Sequence, residues 1–382
     1  MTYPNIPQNP NFSSGPCAKY KNWSLDKLSG ALIGRSHRSK NGKKKLKICI
    51  EDTKSLLNLP SNYLLGILPG SNTGAFEIAL WNFLGSRQVD ILAWESFGYD
   101  WVNDITNQLK LPETKVLKAE YGLIPDYKKV NFKNDVVFTW NGTTSGVCLP
   151  NANWIENDRE GLTICDGTSA IFAVDIDWQK IDIFTFSWQK ALGGEGAHGM
   201  IVLSPRAVDH INKFTPSWPM PKLFNLKKNN KLNLGIFEGL TINTPSMLVV
   251  EDWLTIIDWA NSNGGLEYLK LKTKENFEII NKFCSQNGWI DFLAPNKLFR
   301  SNTSVCLKFI DPWFTSLNEK SQNQYLDKFL SFLEYHNAAF DIKSYRTAPL
   351  GLRIWCGPTV EQDDLKLLTE WLSLSWRGIY KK

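Results

Sequence analysis

The sequence predicts an α/β protein with two parts. One is a large domain built on a mostly parallel, seven-stranded sheet covered by helices, and the other is a smaller C-terminal α+β domain. Three observations predict this architecture. The chain has 382 residues, of which 43% are hydrophobic and 21% charged, so it can bury a large core. Short apolar runs alternate with helical or loop segments between residues 64 and 203, and the pattern changes after residue 287.

Seven apolar runs predict the strands of the large sheet. Most of them are almost continuously apolar, which is typical of strands covered on both faces. Two segments between them, 74–84 and 99–109, have helical spacing. Strands that alternate with helices favour a parallel sheet, and right-handed crossovers place helices on both of its faces. The runs are 64–68, 89–93, 115–118, 136–139, 162–165, 183–186 and 200–203.

The remainder of the chain sets the expected domain limits. The proline-containing segment 215–245 predicts a long loop, and helices are expected at 247–260 and 266–286 with a break at Asn263, Gly264 and Gly265. Further on, strands are expected at 305–309 and 351–355 and helices at 321–336 and 361–374. We therefore expect a large domain at 16–262 and a small domain at 263–382, with residues 1–15 packing near the small one.

Composition argues against several classes of protein. The net charge of +5 is small and dispersed, and the basic run at 40–47 is interpreted as a solvated surface, so no nucleic-acid partner is expected. No run approaches the ~18 apolar residues of a membrane span, and no targeting pattern is visible. The seven cysteines form no C-x-x-C, and H-E-x-x-H is absent, so we expect no disulfide framework and no metal site. Reduced thiols favour a cytoplasmic protein.

A carboxylate and a lysine follow neighbouring predicted strands. Asp166 ends one buried run, and Lys190 comes twenty-four residues later, after the next run. In an open α/β sheet, functional side chains lie at the carboxyl ends of the strands. Pyridoxal phosphate needs a lysine for its Schiff base and a carboxylate that keeps its ring nitrogen protonated. The alternative is that Asp166 and Lys190 form a structural ion pair or cap helices.

Three further segments bear on ligand binding. The turn at 70–74, between a predicted strand and a helix, could hold a phosphate with its backbone N–H groups, or it could be an ordinary capped turn. Residues 194–199 match G-x-G-x-x-G, but they precede a strand, which excludes a dinucleotide site. Arg353 lies in an apolar strand, where its charge requires an anionic partner. That partner is either a substrate carboxylate or a carboxylate within the protein.

Taken together, the motifs resemble those of the phosphoserine aminotransferases, a family of fold-type-I pyridoxal-phosphate enzymes among the class V aminotransferases. The matching segments occur in the family's order and, with the Arg353 strand, span residues 11–358. F-S-S-G-P together with S-H-R favours this family over its relatives. The segments are NFSSGP at 11–16, SHRS at 36–39, NGTTSG at 141–146, DGTS at 166–169, SWQKA at 187–191 and NTP at 243–245.

The resemblance implies roles around the cofactor. Lys190 would form the Schiff base and carry the proton, and Asp166 would pair with the ring nitrogen. Phe97 would stack on the ring, with Trp101 as the second choice, and Thr143 would contact the phenolic oxygen. The cofactor phosphate is assigned to Asn72, Thr73 and Gln189 of one subunit and to Asn243 and Thr244 of the other.

The resemblance also implies the substrates, 3-phosphohydroxypyruvate with glutamate and phosphoserine with 2-oxoglutarate, in serine synthesis. Arg353 would bind the α-carboxylate, with Ser14 beside it. His37 and Arg38 would bind substrate anions across a subunit interface, which requires a homodimer with shared active sites. Arg346 is assigned to the substrate phosphate, where the bacterial form of the family carries an adjacent His-Arg pair.

Other functions stay open at this point. An alanine/serine–glyoxylate type aminotransferase or a desulfurase would keep the fold and change the substrate. A desulfurase would need a mobile thiol, for which Cys356 is a candidate, although a buried thiol is the plainer interpretation. A binding module without cofactor is the third alternative, and the presence of both Lys190 and Asp166 argues against it. Whether 4-phosphohydroxythreonine is a second substrate is not decided by the sequence.

Overall fold

Seven strands form one mixed sheet in the computed structural model, which describes residues 3–380. The strand order is β1-β7-β6-β5-β4-β2-β3. Every strand runs parallel to its neighbours except β7, which is antiparallel to both β1 and β6. The predicted fold class is therefore confirmed. The strands are β1 (Leu64–Pro69), β2 (Val89–Ala93), β3 (Lys115–Lys118), β4 (Asp135–Thr139), β5 (Thr163–Asp166), β6 (Ile183–Ser187) and β7 (His198–Leu203).

Helices cover both faces of this sheet, which explains why its strands are apolar almost without interruption. All residues of β2, β4 and β6 are buried. Along β4, Val136 and Phe138 belong to one hydrophobic cluster and Val137 to the other, so successive side chains enter cores on opposite faces. The covering helices are α1 (Lys40–Leu56), α2 (Ser71–Phe83), α3 (Ser96–Asn103), α4 (Pro205–Lys213) and α5 (Met247–Ser262).

Two helices begin earlier than the sequence predicts. Gly70 adopts a left-handed conformation with φ 82° and starts α2 at Ser71. The Glu95 side chain accepts a hydrogen bond from the Gly98 N–H and so caps α3, which continues into a π-helical turn at Asp104–Gln108. The apolar spacing on which the predictions rested starts only inside each helix.

The basic run lies on a helix that the sequence did not predict. Ser39 caps α1 by accepting a hydrogen bond from the Gly42 N–H over 3.1 Å. Most of the lysines in the run are exposed, as expected of a solvated surface. The predicted loop at 215–245 contains a short hairpin, Lys227–Lys228 with Lys231–Leu232, and a 3₁₀ turn at Leu234–Glu238.

A second, antiparallel sheet lies in the C-terminal part. The N-terminal segment packs against it: the Trp355 N–H donates to the Phe12 carbonyl over 3.0 Å, and the Gln8 N–H donates to Asp364 over 2.6 Å. The predicted domain limits remain a proposal, with the helix break at Gly264 next to the expected boundary. The elements are α6 (Gly265–Gln286), β8 (Ile290–Phe292), β9 (Ser304–Phe309), α7 (Pro312–Thr315), α8 (Glu319–Tyr335), β10 (Leu352–Trp355) and α9 (Gln362–Ile379).

The described residues bear on the expected absence of membrane and metal partners. Of the helices between residues 3 and 380, none is both long enough and apolar enough to cross a membrane. The same residues contain no group of three or more His, Cys, Asp and Glu side chains placed to hold a metal ion. All seven cysteines are buried free thiols.

Candidate active site

A cavity of about 570 Å³ lies at the carboxyl ends of the strands of the large sheet. Residues that follow β1, β2, β5 and β6 meet there, as the open α/β topology predicts. Lys190 and Asp166 both line it. The full lining consists of Gly15, Pro16, Gly70, Ser71, Asn72, Thr73, Phe97, Trp101, Thr139, Asn141, Thr143, Asp166, Thr168, Gln189, Lys190, Gly196 and Ala197.

Lys190 reaches the cavity as a buried amine. Its side chain is 9% exposed, and its Nζ donates a hydrogen bond to the carbonyl oxygen of Ser14. Burial lowers the pKa of Lys190, and the charge of Arg353 lowers it further. Because a lowered pKa increases the fraction of neutral amine, Lys190 is suited to act as a nucleophile and a base.

Asp166 is buried and held by two donors. Its Oδ1 accepts from the Thr168 N–H over 3.1 Å, and its Oδ2 accepts from Trp101 Nε1 over 3.2 Å. Burial raises the pKa of Asp166, and these hydrogen bonds oppose the rise. Among the described residues no cationic side chain forms an ion pair with Asp166. The Lys190 amine donates to the Ser14 carbonyl instead. The structural ion pair considered from the sequence is therefore not formed.

The N-terminus of α2 presents free backbone donors to the cavity. The N–H groups of Gly70 and Ser71 donate to the Ala197 carbonyl over 3.2 Å each. The next two N–H groups, of Asn72 and Thr73, belong to the first helical turn and have no acceptor within the helix. Gly70 provides no side-chain cap, so this is not the ordinary capped turn. The helix dipole and these donors suit an anion such as phosphate.

The donor set of the cavity fits pyridoxal phosphate. Gln189 Oε1 and Thr139 Oγ1 are buried without a hydrogen-bond partner in the protein. A polar ligand in the cavity would give these two atoms a hydrogen-bond partner. With a phosphate site at α2, an amine at Lys190 and a carboxylate at Asp166, the cavity matches the phosphate, the aldehyde and the ring nitrogen of that cofactor.

Phe97 and Trp101 both line the cavity from α3. The Phe97 ring lies 5.6 Å from the Tyr345 ring, and the Trp101 ring packs 4.7 Å from Phe76, measured between centroids. Thr143 lines the cavity as well, and its carbonyl oxygen accepts a hydrogen bond from Ser304 over 2.7 Å. The choice of Phe97 over Trp101 as the stacking ring stays a prediction.

Arg353 lies on β10 with part of its guanidinium unsatisfied. Its Nε is buried and has no hydrogen-bond partner in the protein. Within residues 3–380 it forms no ion pair, so the internal ion pair considered from the sequence is not found. Its guanidinium lies 5.6 Å from the centroid of the Tyr345 ring. An unpaired Arg beside the cavity suits a carboxylate ligand.

Ser14 contacts the site through its backbone. Its carbonyl oxygen accepts from Lys190, while its hydroxyl accepts from Ser304 Oγ over 3.2 Å. The next residue, Gly15, has φ +146°, and a Cβ built on it would lie 2.8 Å from Lys190 Nζ. The F-S-S-G-P motif therefore brings the chain close to the lysine because Gly15 has no side chain.

Seven predicted site residues do not line this cavity, namely Ser14 and Arg353, described above, and five others. His37 and Arg38 line a separate cavity of about 210 Å³ together with Lys43. Burial lowers the pKa of His37, and the adjacent charge of Arg38 adds to the effect. The other three, Arg346, Asn243 and Thr244, are exposed. Since most of these residues are expected to serve the site of a second subunit, their roles remain predictions.

Comparison with known proteins supplies the family. No family model matches the chain. The phosphoserine aminotransferase of Methanosarcina mazei is 56% identical over 371 residues, which is 97% of this chain and 98% of that protein. That of Methanosarcina barkeri is 55% identical over the same extent.

This chain belongs to the phosphoserine aminotransferase family. It is a pyridoxal-phosphate-dependent aminotransferase, so the alternative of a binding module without cofactor is wrong.

Solved structures show that this aminotransferase has the expected fold. A phosphoserine aminotransferase from Cytophaga hutchinsonii has a TM-score of 0.80 at 21% identity and covers 96% of this chain and 98% of its own. A pyridoxamine–pyruvate aminotransferase from Mesorhizobium loti also has a TM-score of 0.80, at 15% identity, and covers 100% of this chain and 94% of its own. Because both identities are low, the likeness concerns the fold alone.

Sequence reasoning missed several residues of the aminotransferase cavity. Thr139 is the last residue of a predicted strand, so its position at a carboxyl end could have identified it. Ala197 lies in the G-x-G-x-x-G match that was set aside, and its carbonyl holds the start of α2. Thr168, which follows Asp166 closely, supplies one of that carboxylate's two donors.

Three hydroxyl groups form a cluster at the start of α3. Thr347 Oγ1 lies 2.5 Å from Ser96 Oγ and 3.1 Å from Tyr121 Oη, and Ser96 Oγ lies 2.7 Å from Tyr121 Oη. Thr347 belongs to the loop that precedes β10, whereas Ser96 begins α3. This hydroxyl cluster joins the C-terminal part of the chain to the wall that carries Phe97.

Proposed function

We propose that this chain catalyses the reversible transamination of 3-phosphohydroxypyruvate with glutamate, giving phosphoserine and 2-oxoglutarate, as a step of serine synthesis. The observation that carries the proposal is the 56% identity, over 97% of the chain, to a protein named phosphoserine aminotransferase. The cavity supports it, since Lys190 and Asp166 lie at one site with a helix N-terminus suited to phosphate.

Lys190 and Asp166 would share the chemistry. Bound pyridoxal phosphate supplies an aldehyde and an electron-withdrawing ring that makes the α-proton of an amino acid labile. Lys190 would hold the aldehyde between turnovers, take the proton from the substrate α-carbon and return it, which its lowered pKa favours. Asp166 would keep a proton on the ring nitrogen, and its pairing with that cation would offset the cost of burying the carboxylate.

The other lining residues would fix the cofactor. The backbone N–H groups of Asn72 and Thr73 would donate to its phosphate, with Gln189 beside them. Thr143 would contact the phenolic oxygen, and Phe97 would cover the ring. Arg353 would bind the α-carboxylate of either substrate through paired N–H donors.

We infer a homodimer from the charge that the substrates carry. A phosphorylated keto acid brings at least two anionic ends, and Arg353 accounts for the carboxylate alone. Lys190 is the one cationic residue among the described residues that line the cavity, so the substrate phosphate has no cation there. His37, Arg38 and Lys43 form a basic cavity elsewhere on the chain. A second copy would bring this basic cavity to the substrate phosphate, and Asn243 with Thr244 to the cofactor phosphate.

Exposed apolar side chains support the same pairing. Leu25, Ile33 and Leu248 are 74%, 70% and 45% exposed, and they flank the segments assigned to the partner's site. A partner surface would bury them. The free thiols of all seven cysteines fit the proposed cytoplasmic location.

The reaction is tested with the purified protein. Glutamate should shift the visible absorbance of the bound cofactor, and borohydride reduction followed by peptide mapping should label Lys190. Phosphoserine with 2-oxoglutarate should then react at least ~100-fold faster than serine or alanine. Faster reaction of alanine or serine with glyoxylate, or release of sulfide from cysteine, would replace the proposal with one of the alternatives. 4-Phosphohydroxythreonine is assayed in parallel as a second substrate.

Shared sites are tested by mixing inactive chains. Lys190→Ala and Arg38→Ala homodimers should each be nearly inactive with phosphoserine. When the two are unfolded and refolded together, hybrid dimers should contain one intact site, which restores roughly a quarter of wild-type activity if assembly is random. A mixture that stays as inactive as its components would show that Arg38 does not act across an interface.

A further inference from the structure

Glu95 is a buried carboxyl group beside the cavity that has no role in the mechanism above. It is the second residue after β2 and is fully buried, at 0% exposure. Within the described part of the chain it forms no ion pair. Its Oε1 accepts from the Gly98 N–H over 2.8 Å, and its Oε2 accepts from Thr144 Oγ1 over 2.8 Å and from the Thr144 N–H over 3.3 Å.

The two groups of donors belong to different segments of the cavity lining. Gly98 lies in the first turn of α3, which carries Phe97 and Trp101. Thr144 is adjacent to Thr143, which lines the cavity from the turn at 141–146. The Glu95 carboxylate therefore joins the helix that carries the aromatic rings to the turn that carries a hydroxyl.

Close packing around Glu95 restricts the conformation of its side chain. The Ser96 N–H donates to Thr144 Oγ1 over 3.2 Å, which adds a second connection between the same two segments. A Cβ built on Gly142 would lie 2.8 Å from Glu95 Cγ and 2.5 Å from Trp94 Nε1. The turn approaches Glu95 this closely because residue 142 is glycine.

Two N–H groups and one hydroxyl group surround the carboxyl oxygens. An ionised carboxylate accepts at both oxygens, whereas an amide of the same shape has one oxygen and one NH₂ group. Glutamine at this position would point its NH₂ at an N–H donor, either that of Gly98 or that of Thr144. Burial raises the pKa of Glu95 to about 7, and the hydrogen bonds from Gly98 and Thr144 oppose the rise.

We propose that Glu95 is a positioning residue of the cofactor site, which sets the spacing of Phe97 and Trp101 from Thr143 by joining α3 to the Thr144 turn. Trp101 in turn donates to Asp166, so the same connection reaches the carboxylate that faces the ring nitrogen. The proposal rests on the cofactor of the family and does not depend on which amino acid is the substrate.

The test is a titration of the apoprotein with pyridoxal phosphate at pH 8, above the pKa of Glu95. The dissociation constant and the visible circular dichroism of the bound cofactor are measured. Glu95→Gln should weaken binding about tenfold or more and reduce the visible circular dichroism, because the rings no longer hold one orientation. Glu95→Asp, which still accepts at two oxygens but is one methylene shorter, should recover part of both signals.

Asp90→Asn is the matched control. Asp90 lies near the start of the same strand, is also 0% exposed, and accepts from the Asn131 N–H over 2.9 Å and from Asn134 Nδ2 over 2.7 Å. Both variants lose a buried carboxylate with two kinds of donor, so both should lower the thermal midpoint. Only Glu95→Gln should change the cofactor affinity and the circular dichroism.

A second variant keeps the test decisive if Glu95→Gln does not fold. Thr144→Val removes the hydroxyl donor and preserves the shape, so it should weaken cofactor binding by about threefold to tenfold. Wild-type affinity and circular dichroism in the folded variants would overturn the proposal, and so would equal weakening in Asp90→Asn. A preference for alanine over phosphoserine would overturn the proposed substrate and leave this result unaffected, since no substrate is present.

Discussion

Trp101 holds Asp166 in place: the indole Nε1 donates to Oδ2 of the carboxylate over 3.2 Å. The indole is itself fixed, because Trp101 is buried and packs against Phe76. With the Thr168 N–H on Oδ1, each carboxylate oxygen has a donor before any cofactor is bound. The end of the site that we propose receives the ring nitrogen is therefore preorganised.

Asp166→Asn should reduce kcat by ~10²–10³-fold while pyridoxal phosphate still binds, because a neutral amide cannot keep a proton on the ring nitrogen. Steady-state kinetics with phosphoserine and absorbance of the bound cofactor measure the two properties separately. The amide preserves the shape of the side chain but accepts at one oxygen only, so its NH₂ group faces either the Thr168 N–H or Trp101 Nε1. Turnover at the wild-type rate would contradict the assigned role of the carboxylate.

Gly15→Ala should disturb the reactive amine. Its Cβ would lie 2.8 Å from Lys190 Nζ, and its φ of +146° is a conformation that L-residues rarely adopt. We expect kcat to fall at least ~10-fold, with less lysine labelled by borohydride reduction. Gly30→Ala is the control, since a Cβ there meets nothing within 4 Å, and it should retain wild-type activity. Equal effects of the two substitutions would show that the approach of Gly15 to Lys190 is unimportant.

Arg353→Lys should raise KM for both phosphoserine and glutamate by ~10-fold or more, since a lysine cannot give paired donors to a carboxylate. Arg377→Lys, an exposed substitution on α9, should change neither value. Steady-state kinetics with each amino acid provide the measurement. An increase confined to the phosphorylated substrate would place Arg353 at the phosphate instead of the α-carboxylate.

His198 should make the apoprotein less stable in acid. Its Nε2 accepts from the Ser246 N–H over 3.1 Å, and burial lowers its pKa from 6.5 to about 4. As the pH falls below 6.5, this histidine is therefore protonated in the unfolded chain while it is still neutral in the folded chain. The stability that the neutral imidazole contributes is present above pH 6.5 and is lost between pH 6.5 and about 4.

Urea unfolding of the wild type and His198→Gln at pH 7.5 and pH 4.5 isolates this group. The wild type should lose ~2–3 kcal/mol more than the variant over that range. Glutamine can still accept from Ser246 but does not titrate. A parallel loss in both proteins would show that other groups cause the acid sensitivity.

The sheet and the position of its two principal candidate site residues could be predicted from the sequence for a common reason. Burial on both faces requires continuous apolar runs, and the ends of those runs place Asp166 and Lys190 at one edge. The helices were harder to predict, because α1 carries many lysines and α2 starts directly after a glycine. The apolar pattern reports which residues are buried, and it does not report where capping begins a helix.

Contacts between distant segments could not be predicted by spacing. Strand pairing brings Arg353 toward Lys190, and packing of the N-terminal segment brings Ser14 there. The sequence indicated these approaches only through the family resemblance of the motifs. Glu95 was missed because a single carboxylate after a strand looks the same whether it is solvated or buried. Its three donors come from residues 98 and 144, and they meet it only in the folded chain.

The hydroxyl cluster of Ser96, Tyr121 and Thr347 joins the loop before β10 to the start of α3 through neutral groups alone. Water can replace each such hydrogen bond at a net cost of only about 0.5–1.5 kcal/mol. Because no ion pair belongs to the cluster, the stability that it contributes should change little with salt concentration.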